Sequence, residues 1–111
     1  LKNTTTYGAE TYDGIILAAL AAQKGGSADG KTIQANMAAV SGSTKGEECD
    51  SYKACLALLK DGKEIQYKGQ TSIGAFNDAH DPSSASIGVY KYDADNKPVF
   101  DHSQEGSVPK A

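Results

Sequence analysis

The chain has 111 residues, 39% of them hydrophobic and 7% aromatic, which fits one domain with a lean core or a piece of a larger domain. All 11 basic residues are lysines and the net charge is −3, which argues against nucleic acid and against an anionic membrane surface as partners. No apolar run approaches the roughly 18 residues that a membrane-spanning helix needs.

The first predicted element is a helix over residues 9–24, entered from a loop rich in threonine and glycine. Gly25 and Gly26 end it, because glycine accepts the left-handed conformation of a C-terminal cap. No convincing strand precedes this helix, so the chain is expected to begin partway through a fold. Apolar positions recur with the spacing of one buried helix face: Tyr12, Ile15, Ile16, Ala19 and Leu20.

Two further helices are predicted, each with a side chain suited to cap its first turn. Asp29 caps the second helix, which stops at residues 41–42, and a polar loop over residues 43–50 follows. Ser51 caps the third helix, which ends at Gly62. Apolar residues at helical spacing support both: Ile33, Met37 and Val40 in the second, then Tyr52, Cys55, Leu56 and Leu59 in the third.

After the third helix the pattern changes from helical to extended. A short extended piece over residues 65–67 precedes a weak alternation over residues 71–76, which predicts a strand. Stronger alternation over residues 87–92, a turn, and an extended piece at 98–100 predict a β-hairpin. The polar tail from Ser103 is expected to fray. The predicted fold class is α/β, or α+β for a fragment: three helices followed by short strands and a C-terminal β-hairpin.

Three states are open to the two cysteines, Cys49 and Cys55: buried free thiols, half of a metal site, or a local disulfide. A structural zinc site needs about four nitrogen or sulfur ligands, and the other candidates, His80 and His102, lie in separate polar segments. The spacing also differs from a Cys-x-x-Cys redox motif. A disulfide is favoured. It would pin the start of the third helix, contribute about 2 kcal/mol and indicate an oxidising compartment.

Motifs for catalysis and for metal or phosphate binding are incomplete. The stretch that begins at Asp93 resembles the start of a calcium loop, but Lys97 and Pro98 occupy a ligand position and the required glycine position. His80 and His102 lie in polar, turn-like surroundings that are typical of surface histidines. We therefore predict no catalytic residue, no metal site and no cofactor, and a protein that is not an enzyme.

Tyr7 lies at the entry to the first helix, where two roles are open. It could pack on its own helix as a hydrophobic staple, or it could form one wall of a ligand cleft. Spacing alone favours the staple. In the same region, Tyr12 is predicted to be a core residue and Asp13 a first-turn acid stabilised by the helix dipole.

Several stretches, taken together, match the motifs of one known family. Residues 12–14, Tyr-Asp-Gly, lead into a helix rich in alanine and leucine, and cysteines bracket the start of the third helix. Residues 65–69, 76–78, 81–82 and 87–92 then follow in the family's order. These stretches resemble type I periplasmic binding proteins, the solute receptors of ABC transporters, and in particular their branched-chain amino acid class.

The resemblance implies that the chain is the C-terminal part of a non-catalytic receptor that holds its solute between two lobes. Residues 1–70 would be the helical part of the first lobe, residues 71–102 a crossing strand and the hairpin of the second lobe, and residues 103–111 a tail. In family members an aromatic residue before the last first-lobe helix touches the solute, and Tyr7 falls at that place. The ligand-contacting set that the resemblance implies is Thr6, Tyr7 and Glu10.

The resemblance also implies partners and a location. The partners would be an amino acid as solute and the membrane permease of an ABC transporter, with self-association of the chain through faces that the missing strands would cover. An extracytoplasmic location, in the periplasm or as a cell-surface lipoprotein, agrees with the favoured disulfide.

Two other functions stay open. The same fold could serve as the ligand-sensing domain of a membrane signalling receptor, which a downstream membrane span and kinase in the gene would indicate. A small secreted enzyme is the other alternative, although no nucleophile, base and orienting group cluster in the sequence.

Overall fold

A computed structural model describes residues 6–71 and 73–108 of the chain. Within them it contains three α-helices, one π-helical turn and two sheets of two strands each, so the protein is a small mixed α+β domain. The elements in chain order are α1 (Gly8–Gly25), α2 (Gly30–Ala38), the π-helical turn (Ala39–Ser43), β1 (Glu47–Cys49), α3 (Tyr52–Lys60), β2 (Ile65–Tyr67), β3 (Ser84–Tyr92) and β4 (Pro98–Ser107).

The three predicted helices are confirmed, and their ends follow local chemistry. The Asp29 carboxylate accepts a hydrogen bond of 2.8 Å from the N–H of Thr32 at the start of α2. The hydroxyl of Ser51 accepts one of 3.1 Å from the N–H of Ala54 at the start of α3. Helix α1 ends where Gly26 adopts a left-handed φ of 77°. These caps satisfy backbone groups that a helix end leaves unpaired.

The polar loop predicted over residues 43–50 contains a strand, so that prediction is wrong in part. Strand β1 pairs in parallel with β2, with Glu47 opposite Ile65 and Cys49 opposite Tyr67. The residues of β1 are two glutamates and a cysteine, which carry no strand pattern of their own. Its partner β2 has the apolar residues of the pair, with Ile65 and Tyr67 buried. Because β2 is distant in the sequence, local patterns around β1 do not reveal the pairing.

The core lies where α1, α3 and the π-helical turn meet the β1–β2 sheet. The buried face of α1 differs from the predicted one, because Tyr12 and Ile15 are 51% and 64% exposed. The buried residues of α1 are Asp13, Leu17, Leu20 and Ala21, at positions i, i+4, i+7 and i+8. The apolar core consists of Leu17, Leu20, Ala21, Val40, Cys49, Cys55, Ile65 and Tyr67.

Strands β3 and β4 form the predicted antiparallel hairpin, and it is longer than predicted. The prediction of a frayed tail from Ser103 is wrong as far as Ser107, because β4 includes those residues and pairs them with β3. The described residues of 71–76 form no strand. Phe76 makes only an isolated bridge with Pro82.

Candidate functional site

A buried carboxylate lies near the start of α1. Asp13 is only 4% exposed, and its two oxygens accept four hydrogen bonds. Oδ1 accepts from the hydroxyl of Tyr67 at 2.9 Å and the N–H of Gln70 at 3.0 Å. Oδ2 accepts from both the N–H and the hydroxyl of Thr71 at 2.8 Å. The prediction of a first-turn acid held by the helix dipole is therefore wrong: Asp13 joins α1 to the chain after β2.

The hydrogen bonds determine the charge of this group. Burial by itself raises the pKa of Asp13, but the hydrogen bonds from Gln70, Thr71 and Tyr67 outweigh it and bring the pKa below its ordinary value of 3.8. Burial, followed by the hydrogen bond to Asp13, raises the pKa of the Tyr67 hydroxyl above its ordinary 10.0. At neutral pH Asp13 is ionised and Tyr67 protonated, with both engaged in bonds inside the protein. This pair positions the backbone and is not set up for proton transfer to a ligand.

Gly69 allows this close approach. A Cβ atom at Gly69 would collide with the carboxylate of Asp13 and with the hydroxyl of Tyr67. Only glycine therefore fits at this position, which follows β2 and precedes the backbone N–H donors of Gln70 and Thr71.

A second buried polar group lies on the π-helical turn. The hydroxyl of Ser41, a residue 7% exposed, donates to the carbonyl of Ala38 at 2.7 Å. The same oxygen accepts a hydrogen bond of 2.9 Å from the N–H of Phe76. We call residues 73–76 the strap. Ser41 binds Phe76, the last residue of the strap. Asp13 binds Thr71, which lies just before the start of the strap.

A small cleft of about 120 Å³ lies between the start of α1 and the strap. Most of its lining is apolar, with Asp13 and Ser41 among the polar groups and the carboxylate of Glu10 as a further charged group. Glu10 is an exposed residue in the first turn of α1. The cleft can accept a compact apolar group that carries a positive charge. The large apolar side chains around it are Leu17, Ile73, Phe76 and Pro82.

Of the three predicted ligand contacts, the structure brings only Glu10 to this cleft; Thr6 and Tyr7 are not among its lining residues. Tyr7 has a left-handed φ of 60° and is 73% exposed, which argues against the hydrophobic staple. Its carbonyl accepts hydrogen bonds from the N–H and the hydroxyl of Thr11, at 2.9 and 2.8 Å. These bonds fix the backbone of Tyr7 at the helix start and leave its ring free in solvent.

The disulfide between Cys49 and Cys55 is present, with 5.3 Å between the two Cα atoms. It ties the end of β1 to α3, and both cysteines are buried in the core. A disulfide indicates an oxidising compartment. Among the described helices, none combines the length and the apolar character needed to cross a membrane.

The histidines are surface residues, as predicted. Both are exposed, and the Nδ1 atom of His102 lies 2.9 Å from a carboxylate oxygen of Asp101. Within residues 6–71 and 73–108, no three side chains of histidine, cysteine, aspartate or glutamate are grouped so as to hold a metal ion.

Sequence reasoning missed the roles of Asp13 and Ser41, although one signal was present. Asp13 shares a helix face with Leu17 and Leu20, and an acid on an apolar face requires a buried hydrogen-bonding partner. Ser41 gave no comparable signal, since serine is common in turns.

Comparisons of this chain with models of protein families, with curated proteins and with solved structures found no match.

Proposed function

We propose that this chain is part of an extracytoplasmic solute receptor of an ABC transporter, of the two-lobed type I class, which binds branched-chain or related amino acids. The observation that carries the proposal is the cleft at the start of α1, with Glu10 and the strap around it. In a two-lobed receptor the strap would be the segment that passes from one lobe to the other, so the cleft would lie where the lobes meet.

The chemistry of the cleft supports an aliphatic amino acid as the solute. Leu17, Ile73 and Phe76 offer an apolar surface to a hydrocarbon side chain, and Glu10 offers a negative charge to an ammonium group. The ring of Tyr7, the residue just before α1, is exposed and available to cover a solute.

The two small sheets support a larger parent fold. Parallel strands occur almost only in sheets whose two faces are covered, and β1 and β2 form a parallel pair of three residues each. In the complete receptor we expect further strands beside this pair. The hairpin would contribute its two strands to the second lobe, which would cover the exposed rings of Tyr90, Tyr92 and Phe100.

A change at Tyr7 tests the proposal in the protein encoded by the complete reading frame. We expect Tyr7→Ala to weaken the binding of leucine, isoleucine or valine by about tenfold or more, because the ring covers the solute in the closed cleft. Tyr12→Ala is the control, since Tyr12 is also an exposed tyrosine at the start of α1, at 51% exposure, but does not line the cleft.

Titration calorimetry provides the measurement. Equal losses of affinity in the two tyrosine variants would contradict the proposed role of Tyr7. A reading frame that encodes no further lobe, or a complete protein that binds no amino acid, would contradict the receptor function itself.

A further inference from the structure

Two carboxylates line the small cleft between α1 and the strap. Glu10 is exposed, and within residues 6–71 and 73–108 it takes part in no ion pair. Asp13 is only 4% exposed and lines the same cleft. A cavity of about 120 Å³ therefore has two acidic groups in its wall.

Within the described residues, no cation neutralises the charge of Asp13. Its hydrogen bonds come from uncharged donors: the N–H of Gln70, the N–H and hydroxyl of Thr71, and the hydroxyl of Tyr67. Burial alone would raise the pKa of Asp13, but these bonds outweigh it and lower the pKa, so the group is ionised at neutral pH. A carboxylate held only by neutral donors keeps its negative charge, and its field extends into the cleft.

The remaining wall of the cleft is neutral. Among the residues that the structure describes, neither a lysine nor a histidine lines it. Its large apolar side chains are Leu17, Ile73, Phe76 and Pro82. The cleft thus combines a hydrocarbon surface with negative charge, which suits a ligand that is apolar and cationic.

The dipole of α1 does not reverse this charge. The helix residues at the cleft run from Glu10 in the first turn to Leu17 in the third. The positive end of a helix dipole acts mainly within the first turn, and there the carboxylate of Glu10 opposes it. The side of the helix that faces the cleft is therefore unsuited to an anion.

We propose that this cleft is a binding site for an alkylammonium ion, a compact branched hydrocarbon that carries a positive charge, and that it rejects a ligand with a carboxylate. Its volume holds about four groups of the size of a water molecule, which suits a branched body of about four or five carbon atoms. The inference goes beyond the receptor function, because it needs neither a second lobe nor an amino acid.

Charge separates ligands that share one shape. Leucine has the branched hydrocarbon and the ammonium group of isopentylammonium and adds a carboxylate. In the cleft this carboxylate would lie close to Glu10 and Asp13, with no described cation beside it, so repulsion opposes binding. A receptor for amino acids would need a group from its other lobe to hold the carboxylate.

Gly14 provides the space for the ligand. It lies on one face of α1 between Glu10, one turn earlier, and Leu17, one turn later, and all three line the cleft. A Cβ atom at Gly14 would have nothing within 4 Å. A large side chain at this position would therefore occupy the cleft.

Titrations of the 111-residue chain, followed by backbone amide NMR signals, test the site. The ligands are isopentylammonium, uncharged isopentanol, leucine, and leucinamide, which keeps the ammonium group of leucine and lacks its negative charge. At low ionic strength we expect isopentylammonium to bind at least about tenfold more tightly than isopentanol or leucine, and leucinamide to bind more tightly than leucine. The signals of Gly14, Gly69 and Gly74 should shift, because these residues line the cleft.

Two variants remove the charge and the space separately. Glu10→Gln should weaken the binding of isopentylammonium by about fivefold or more. Glu105→Gln is the matched control, since it removes an exposed glutamate on β4 and should leave binding unchanged. Gly14→Leu should abolish binding, whereas Gln23→Leu adds the same side chain to an exposed position of α1 outside the cleft and should not.

Circular dichroism of each variant separates a lost site from an unfolded chain. If Gly14→Leu unfolds, Glu10→Gln decides, because Glu10 is exposed. The proposal is overturned if isopentanol or leucine binds as tightly as isopentylammonium, if leucinamide binds no better than leucine, or if Glu10→Gln and Glu105→Gln bind equally well. These titrations do not involve the complete protein, so the receptor function and the alkylammonium site can each fail while the other stands.

Discussion

The carboxylate of Asp13 receives its hydrogen bonds from residues 54 to 58 positions further along the chain. Each bond on its own adds little to stability, but removal of the acceptor leaves several buried donors unpaired. At the scale of single residues, we therefore expect this group to contribute more to stability than the exposed ion pairs of the described residues, such as Lys63 with Glu47.

Replacing this carboxylate tests its contribution to the free energy of unfolding. We expect Asp13→Asn to lower the free energy of unfolding by about 1–3 kcal/mol, because the new amide turns one of two acceptors into a donor that faces other donors. Asp29→Asn is the control and should be nearly neutral, since asparagine caps a helix as well as aspartate does. Urea unfolding followed by circular dichroism measures both. A neutral Asp13→Asn would contradict the assigned hydrogen bonds.

The lowered pKa of Asp13 predicts a pH dependence with a definite sign. Its contribution to stability is complete above the ordinary pKa of 3.8 and is lost as the pH falls through the lower pKa of the folded state. Asp29 and Glu64 also have lowered pKa values, but both side chains are exposed, so solvent screening makes their contribution in the same direction small. The stability difference between the unsubstituted chain and Asp13→Asn should thus shrink in acid. A difference that grows below pH 3.8 would contradict this sign.

Two glycines beside the cleft should respond to alanine in opposite directions. Gly69→Ala should destabilise the chain by about 1–3 kcal/mol, since its Cβ would meet Asp13 and Tyr67. Gly14→Ala should stabilise it by about 0.5–1 kcal/mol, because Gly14 lies inside α1 with nothing within 4 Å of the added atom. Thermal unfolding compares them, and equal shifts would rule out the close packing around Gly69.

At the scale of elements, the disulfide fastens β1 to α3. Closing so short a loop restricts the unfolded chain by about 2 kcal/mol. We expect the pair Cys49→Ala and Cys55→Ala to lower the unfolding free energy by at least about that amount, because both side chains also pack in the core. Titration of the denatured, unreduced protein should find no free thiols. Two reactive thiols would remove the argument for an oxidising compartment.

The helices could be predicted from the sequence because their signals are local. Asp29, Ser51 and Gly26 act on backbone groups within one turn, so the residues next to them are sufficient. Strand β1 could not be predicted, since its partner β2 is distant and its glutamates carry no pattern. The cleft depends on Asp13 meeting Thr71, a contact that only the packed structure reveals.

At the scale of the whole molecule, the exposed hairpin is the surface through which we expect the chain to self-associate. Tyr90 and Phe100 pack edge to face with ring centres 5.7 Å apart, and both remain more than half exposed. Large exposed apolar patches promote association. We expect the 111-residue chain to self-associate with rising concentration, and Tyr90→Ser to reduce this. Sedimentation velocity measures it, with Tyr12→Ser on α1 as the control. A chain that stays monomeric at all concentrations would contradict this expectation.

The proposed receptor function is tested most directly by a calorimetric titration of leucine, isoleucine and valine. The titrations use the 111-residue chain and, in parallel, the protein encoded by the complete reading frame. We predict no measurable binding to the chain alone, because a solute held between two lobes needs both of them, and tight binding of at least one of these amino acids to the complete protein. Tight binding to the chain alone, or no binding to the complete protein, would contradict the account.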